Sequence, residues 1–237
     1  MASITDEQNY SQGFKPCSAL TERTRRRVRY IVSATGMASG TKALEIGCGD
    51  GDMLHEVVLT SGASVLGIDR SPKFITQAQA CFGQHNFEIM DFWHAESLAR
   101  YEGYFDCIYG NGILHHLMPV PDLVKGLRQI RRFLKPNGRI CFIEPNLFNP
   151  YVYLIFSYAP LRRLAKLEPH EMAFTHRTIV PALEECGFHN IVVKYKDFLL
   201  PNTPSVLIKP VTMLGDDILE HTPIRFIAQS LFISASI

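Results

Sequence analysis

From residue 18 to residue 144 the spacing of apolar positions switches back and forth between a helical and a strand period. Residues 18–36 place their apolar side chains on one face of an amphipathic helix that stops at Gly36, and residues 42–47 form a short apolar run that reads as a strand. The pair of patterns recurs as helix 51–60 with strand 63–68, and as helix 72–82 with strand 86–90. Pro72 falls in the first turn of its helix, where a missing N–H is tolerated. Strand 105–110, helix 120–134 and strand 138–144 follow. Alternation of this kind predicts an α/β fold: a doubly wound, Rossmann-like, mostly parallel sheet with helices on both faces and ligands at the carboxyl ends of the strands.

After Glu144 the pattern breaks. Residues 145–173 carry Pro145, Pro150, Pro160 and Pro169 among Leu147, Phe148, Tyr151, Tyr153, Phe156 and Tyr158, an aromatic-rich insertion of the kind that serves as a functional lid. A helical pattern resumes at Thr175, an N-cap residue type, and stops at Gly187; Asn190 to Tyr195 then reads as a strand. A second insertion, 199–227, contains Pro201, Pro204, Pro210 and Pro223, and the partly alternating run Ser230 to Ser236 completes seven strands. The expected organisation is one domain over 1–237, with an N-terminal helical segment at 1–40 and the two insertions acting as caps over the site.

Composition narrows the class. Hydrophobic residues make up 46% and charged residues 20% of the 237, as in a compact globular enzyme. A formal charge of +1 supplies no global field for nucleic acid or anionic lipid, and the run Arg23, Arg25, Arg26, Arg27 and Arg29 is expected to be a solvated helix face. The six cysteines contain no C-x-x-C pair and read as small buried hydrophobes of a reducing compartment. The nine histidines show no H-E-x-x-H or similar spacing, so no metal is expected. The polar N-terminus lacks a signal-peptide core. The most apolar stretch, 150–161, is broken by Pro160 and falls well short of the roughly 20 residues of a spanning helix. A cytoplasmic protein without stable membrane insertion is expected.

Candidate chemistry concentrates at Glu45-Ile46-Gly47-Cys48-Gly49-Asp50-Gly51 and at Asp69, which closes the next apolar run. Glycines at such close spacing turn a strand sharply and let a ligand approach the backbone. An acid after the second strand is placed to accept from ribose hydroxyls. A dinucleotide site needs a third glycine in G-x-G-x-x-G; that position is Asp52, which would repel a pyrophosphate. The observed E-x-G-x-G-x-G instead resembles the first motif of class I S-adenosylmethionine (SAM) dependent methyltransferases, whose cofactor carries a sulfonium cation and no phosphate.

The resemblance extends over residues 40–145. Met90-Asp91-Phe92 sits where that family keeps an acid near the adenine amino group. Phe105-Asp106-Cys107-Ile108-Tyr109-Gly110-Asn111-Gly112-Ile113-Leu114-His115-His116-Leu117 is similar to the fourth-strand motif, and Leu134-Lys135-Pro136-Asn137-Gly138 to the turn into the fifth. The resemblance implies SAM as cofactor and S-adenosylhomocysteine as product, with the last strand antiparallel. It places Gly47, Gly49 and the Cys48 backbone against the cofactor, Glu45 behind the glycine loop or near the methionine amino group, Asp69 on the ribose and Asp91 on the adenine. Arg70, Met90 and Phe92 are expected to wall the adenosine, and Gly110 and Asn111 to line the cleft beside the methionyl portion.

His115 and His116 are the clustered imidazoles. Methyl transfer needs alignment, and needs a base only when the acceptor carries a proton. His115 is the expected base, because His116 occupies a common non-catalytic position of the family's L-H-H-L segment. Asn149-Pro150-Tyr151 resembles the N-P-P-Y motif of base methyltransferases but lacks a proline and follows the fifth strand instead of the fourth, so a nucleic-acid acceptor is not expected. The aromatic insertion favours a small aromatic, apolar or lipid-linked acceptor, with O-methylation as the leading reaction. A SAM-binding regulatory protein without chemistry and a lipid-acceptor methyltransferase at the membrane surface are the competing readings.

Overall fold

A computed structural model describes residues 17–92, 99–200 and 203–237. Part of the expected N-terminal segment 1–40, and Pro201 of the second insertion, lie outside the described residues. Seven strands form one sheet: β1 (Lys42–Ile46), β2 (Ser64–Asp69), β3 (Asn86–Ile89), β4 (Phe105–Asn111), β5 (Leu134–Pro145), β6 (His189–Lys196) and β7 (Ser230–Ser236). Their order is β3-β2-β1-β4-β5-β7-β6. The first five run parallel, and β7 lies antiparallel between β5 and β6. The eight α-helices of the described residues are α1 (Ser18–Thr35), α2 (Asp52–Ser61), α3 (Pro72–Phe82), α4 (Val120–Phe133), α5 (Pro150–Ser157), α6 (Ala159–Leu164), α7 (His176–Glu185) and α8 (Ser205–Met213).

The central strands read as continuous apolar runs because both of their faces are buried. Successive side chains point to opposite faces. Ala43, Cys107, Tyr109, Cys141 and Ile143 therefore pack with Val28 and Ile31 of α1, Leu54 and Val57 of α2, and Ile75 of α3. Leu44, Ile46, Ile108, Ile140 and Phe142 pack on the other face with Leu123, Leu127 and Ile130 of α4 and Ile179 and Leu183 of α7. Helix boundaries follow local chemistry. Ser71 accepts from the Phe74 amide at 3.3 Å and Pro72 opens α3, while Gly36 and Gly62 end α1 and α2 in the left-handed conformation.

Both insertions contain helix. Residues 145–173 form α5 and α6; 199–227 form α8 followed by short π and 3₁₀ turns. They are tied to each other by two asparagines. Asn146 donates to the carbonyls of Phe226 and Ala228 at 2.8 and 2.7 Å, and Asn149 donates to Ile227 at 2.6 Å. Asn149 also caps α5, accepting from the Val152 amide with Pro150 at the first helical position. The Asn-Pro-Tyr tripeptide is thus a helix start.

Only part of the arginine run is a solvated face: Arg25 and Arg29 are exposed, the other three are not. Arg23 is 8% exposed, and Arg23, Arg26 and Arg27 converge on Asp197 at the end of β6, with contacts of 3.1, 3.5 and 2.9 Å. Arg26 also pairs with Asp216 of the second insertion. Charge periodicity on α1 could not reveal a carboxylate that only the tertiary fold delivers. Among the cysteines, Cys48, Cys107, Cys141 and Cys186 are buried as expected, but Cys81 is exposed at the end of α3.

Burial works to raise the Asp197 carboxyl, yet the charges of Arg27, Arg23 and Arg26 outweigh it and hold the group below its ordinary value. A carboxyl lowered in the native state contributes stability above the ordinary aspartate pKa of about 3.9, and that contribution is lost as pH falls through the native value. Asp197→Ala would leave buried guanidinium groups without their counter-charge, and should lower the unfolding free energy by about 3–5 kcal/mol. Urea titrations at neutral pH check this, and the gap to the wild type should narrow on acidification.

Candidate active site

The carboxyl ends of β1 and β2 build the first half of the site. The chain leaving β1 folds back over its neighbour: the amides of Gly47 and Cys48 donate to the Ile68 carbonyl at 2.8 and 3.0 Å. The Gly49 amide donates to Oδ2 of Asp69 at 3.0 Å, while the other carboxylate oxygen accepts from the Ser71 amide at 2.9 Å. Asp69 thus couples the glycine loop to the start of α3. The loop glycines have different reasons. Gly47 has φ +71°, and a Cβ there would meet Ile113 Cδ1 at 2.0 Å; Gly49 has φ +53°, and nothing lies within 4 Å of where its Cβ would stand. Gly47 is required by packing, and Gly49 faces open space beside Asp69. A bare backbone, an open side and an adjacent acid fit a nucleoside ligand.

Glu45 lies behind the loop, 2% exposed, and accepts from the Tyr109 hydroxyl at 3.1 Å. Burial pushes its carboxyl well above the carboxylate range; the Tyr109 bond offsets part of this, and the charges of Asp50 and Asp69 add to it. The Cys48 side chain packs toward Gly67, which leaves its backbone to the loop.

The other expected cofactor residues are not all on open walls. Met90 and Phe92 belong to the core, 6% and 7% exposed, and the Phe92 ring packs edge-on to Phe133 with centroids 6.4 Å apart. The Met90 amide nevertheless donates to the Asp69 carbonyl at 2.9 Å, so the start of the Met90-Asp91-Phe92 segment adjoins Asp69. Asp91 is half-buried beside them. Arg70 is exposed and reaches Glu168 of the first insertion at 3.4 Å. Gly110 is buried in the sheet, where a Cβ would meet the Ile46 carbonyl at 2.9 Å and the Phe142 ring at 3.0 Å. Asn111 accepts from Arg27 at 3.0 Å, an unanticipated link between α1 and the end of β4.

The second half of the site is the 3₁₀ turn Leu114–Leu117. Glu144, whose side chain has no exposed surface, gathers it: the carboxylate accepts from the amides of Ile113, Leu114 and His115 at 2.9, 2.8 and 3.2 Å, and from Nδ1 of His115 at 2.9 Å. In the neutral ring this leaves the hydrogen on Nδ1 and the lone pair on Nε2. His116 Nδ1 lies 2.8 Å from Oε1 of Glu171, a residue of the first insertion. Burial works against the charged form of His116, but the close Glu171 carboxylate, with Glu144 further off, outweighs it and raises the imidazole pKa. One ligand atom from each of His115, His116 and Glu171 lies within 4.8 Å of the others. Sequence spacing concealed this trio, because Glu171 has no motif relation to the histidines. The Phe156 ring stands edge-on to His115 at 5.9 Å.

A family model described as a methyltransferase domain matches residues 44–140, the span from the first strand into the fifth. The chain is a class I SAM-dependent methyltransferase. Ubiquinone biosynthesis O-methyltransferase of Acinetobacter baumannii is 29% identical over 191 residues, covering 74% of this chain and 78% of that protein. The fold is shared with a SAM-dependent methyltransferase from Archaeoglobus fulgidus, with a TM-score of 0.67 at 20% identity over 98% of this chain and 99% of that one. It is shared also with Haemonchus contortus phosphoethanolamine N-methyltransferase 2 in complex with SAM, with a TM-score of 0.60 at 14% identity over 89% and 52%. SAM is the cofactor of this methyltransferase, and the open glycine loop with its neighbouring acid is a chemical fit to it.

The raised Glu45 carboxyl has a testable sign. Between the unfolded glutamate pKa of about 4.3 and the raised native value, the folded state holds more protons than the unfolded one, so wild-type stability declines as pH climbs through that window. Glu45→Gln keeps the shape and does not titrate. Urea unfolding from acid to mildly alkaline pH should show the variant gaining on the wild type as pH rises.

Proposed function

We propose that this methyltransferase O-methylates a small, hydroxylated aromatic or apolar molecule, and that the two insertions cap the acceptor. The observation that carries the reading is the buried Glu144 carboxylate holding His115 in one tautomer, directly after the β4 exit loop whose Ile113 packs on Gly47. SAM supplies an electrophilic methyl group on a sulfonium. The chain has to bring an oxygen to it and manage that oxygen's proton. Asp69 is assigned to the ribose hydroxyls, and the amides of the Gly47–Gly49 loop, with Glu45 behind them, to the methionyl side together with Asn111. Asp91 is assigned to the adenine. His115, with its Nε2 lone pair, is the group at which the acceptor's hydroxyl loses its proton.

The chemistry of the first insertion supports an apolar acceptor. Val152, Phe156 and Ala173 form a separate buried cluster with Leu147, Ile155, Leu167 and Met172 around them. Phe156 joins that cluster to His115. The name of the Acinetobacter relative supports oxygen as the acceptor atom. Exposed apolar side chains on both insertions, among them Tyr151, Leu154, Tyr158, Val206 and Leu207, favour a lipid-linked acceptor as the second reading. No helix among the described residues is long and apolar enough to cross a membrane. Flotation with liposomes separates the two: partition with the vesicles supports a lipid-linked acceptor, and its absence supports a freely diffusing one.

Two substitutions test the assignment. Asp69→Ala should weaken SAM binding by about 2 kcal/mol, the cost of unpairing two hydroxyls, and calorimetry that finds unchanged affinity refutes the ribose role. His115→Ala should lower turnover of a hydroxylated aromatic acceptor by about 10²-fold or more with SAM affinity retained. A loss under about tenfold would restrict the ring to positioning.

A further inference from the structure

We propose that His115, His116 and Glu171 bind one divalent transition-metal ion of zinc-like chemistry, placed to act on the acceptor's oxygen. The inference rests on the O-methylation reading and assigns the deprotonation given there to His115 to an ion that His115 helps to hold. The three donors come from two segments far apart in the chain, yet one ligand atom from each lies within 4.8 Å of the others.

Each donor is set from behind. Glu144 engages Nδ1 of His115 and leaves Nε2 to project, the arrangement in which a carboxylate fixes the tautomer of a metal-binding imidazole. The Glu171 segment is gripped by Arg162, whose guanidinium donates to the carbonyls of Phe156, Glu168, Pro169 and Glu171 at 2.6, 2.7, 3.1 and 3.1 Å. Nδ1 of His116 is the most telling atom. It is buried and pairs at 2.8 Å with Oε1 of Glu171, so both atoms face the same small space. With one ligand atom of His115 also within 4.8 Å, the pair is close enough for one ion to bridge all three side chains.

The donor set selects the ion. Two imidazole nitrogens and one carboxylate oxygen, with no thiolate, match the three-ligand zinc sites that keep a fourth position open to substrate. One carboxylate is too few for a calcium site. Zinc bonds of roughly 2.0–2.2 Å separate tetrahedral donors by about 3.4 Å, a spacing that donors all lying within 4.8 Å of one another reach by small side-chain shifts. An ion in the site binds the acceptor's hydroxyl oxygen and lowers its pKa, as metals do for bound water. The proton then leaves to solvent, and the oxygen keeps the electron pair that forms the new bond to the methyl carbon as the sulfonium's carbon–sulfur bond breaks. His115 serves as a ligand of the ion in this scheme, and the ion replaces it as the agent of deprotonation.

The test uses the full chain after chelator treatment and dialysis. Zinc(II) is titrated calorimetrically and cobalt(II) by visible absorption, into the wild type, His116→Ala and Glu171→Gln, with SAM affinity measured on each protein to show that the fold is intact. The expected result is one equivalent of zinc(II), bound at least about 10-fold more weakly by each variant, and a ligand-field band of protein-bound cobalt(II) that both variants lose. Equal zinc(II) affinity in all three proteins, or a cobalt(II) spectrum of the aqueous ion in the wild type, overturns the site. Methyl transfer to a hydroxylated aromatic that persists undiminished in chelator also overturns it, while leaving O-methylation standing. Zinc(II) bound as expected, with no hydroxylated acceptor turned over, upholds the ion site and refutes the O-methylation reading instead.

Discussion

The Glu144 carboxylate, buried at the end of β5, is the interaction on which the geometry of the site depends. Its two oxygens collect three successive backbone amides and the His115 ring, groups that would otherwise be unpaired inside the protein. That gathering fixes the chain leaving β4. It sets Ile113 against Gly47, so the glycine loop after β1 and the turn that carries the histidines are packed as one piece. A buried acid is costly unless its hydrogen bonds are made, and here the same bonds that satisfy it orient the histidine turn.

The same economy of structure runs through the insertions. Asn146 and Asn149 collect the carbonyls of residues 226–228, and Arg162 collects four carbonyls of the first insertion, so neither segment needs sheet or long helix to hold its shape. Glu168 and Glu171 consequently reach back to Arg70 and His116 on the core domain. On the opposite side of β5, Arg27 spans Asn111, Asp197 and Ser230, tying α1 to the ends of β4, β6 and β7. The carboxyl edge of the sheet is thus enclosed by polar contacts whose partners come from every part of the chain.

Legibility in the sequence followed the range of the interactions. The strand and helix boundaries between residues 42 and 133 were readable to within a residue or two, because alternation across a two-faced sheet, a proline at a first turn and glycines at helix ends are local signals. The glycine loop and Asp69 are local signals of the same kind, and the structure joins them through the Gly49 amide. Met90 and Phe92 were harder: an apolar residue at a strand end looks alike whether it faces a ligand or the core, and the structure places both in the core. Arg23, Arg26 and Arg27 of α1 looked as solvated as Arg25 and Arg29 because helical spacing says nothing of an aspartate at the end of β6.

By itself, the order of apolar and polar residues determined an α/β sheet with a glycine loop at its carboxyl edge; the glycine spacing disfavoured a dinucleotide, and SAM followed from the resemblance of the motifs. Only the tertiary structure decided that β7 lies between β5 and β6, that Glu144 fastens His115, and that Glu171 comes to the histidines. The difference is physical. Periodicity and turn chemistry act between residues a few positions apart, whereas a buried carboxylate finds its donors wherever packing of the whole chain delivers them.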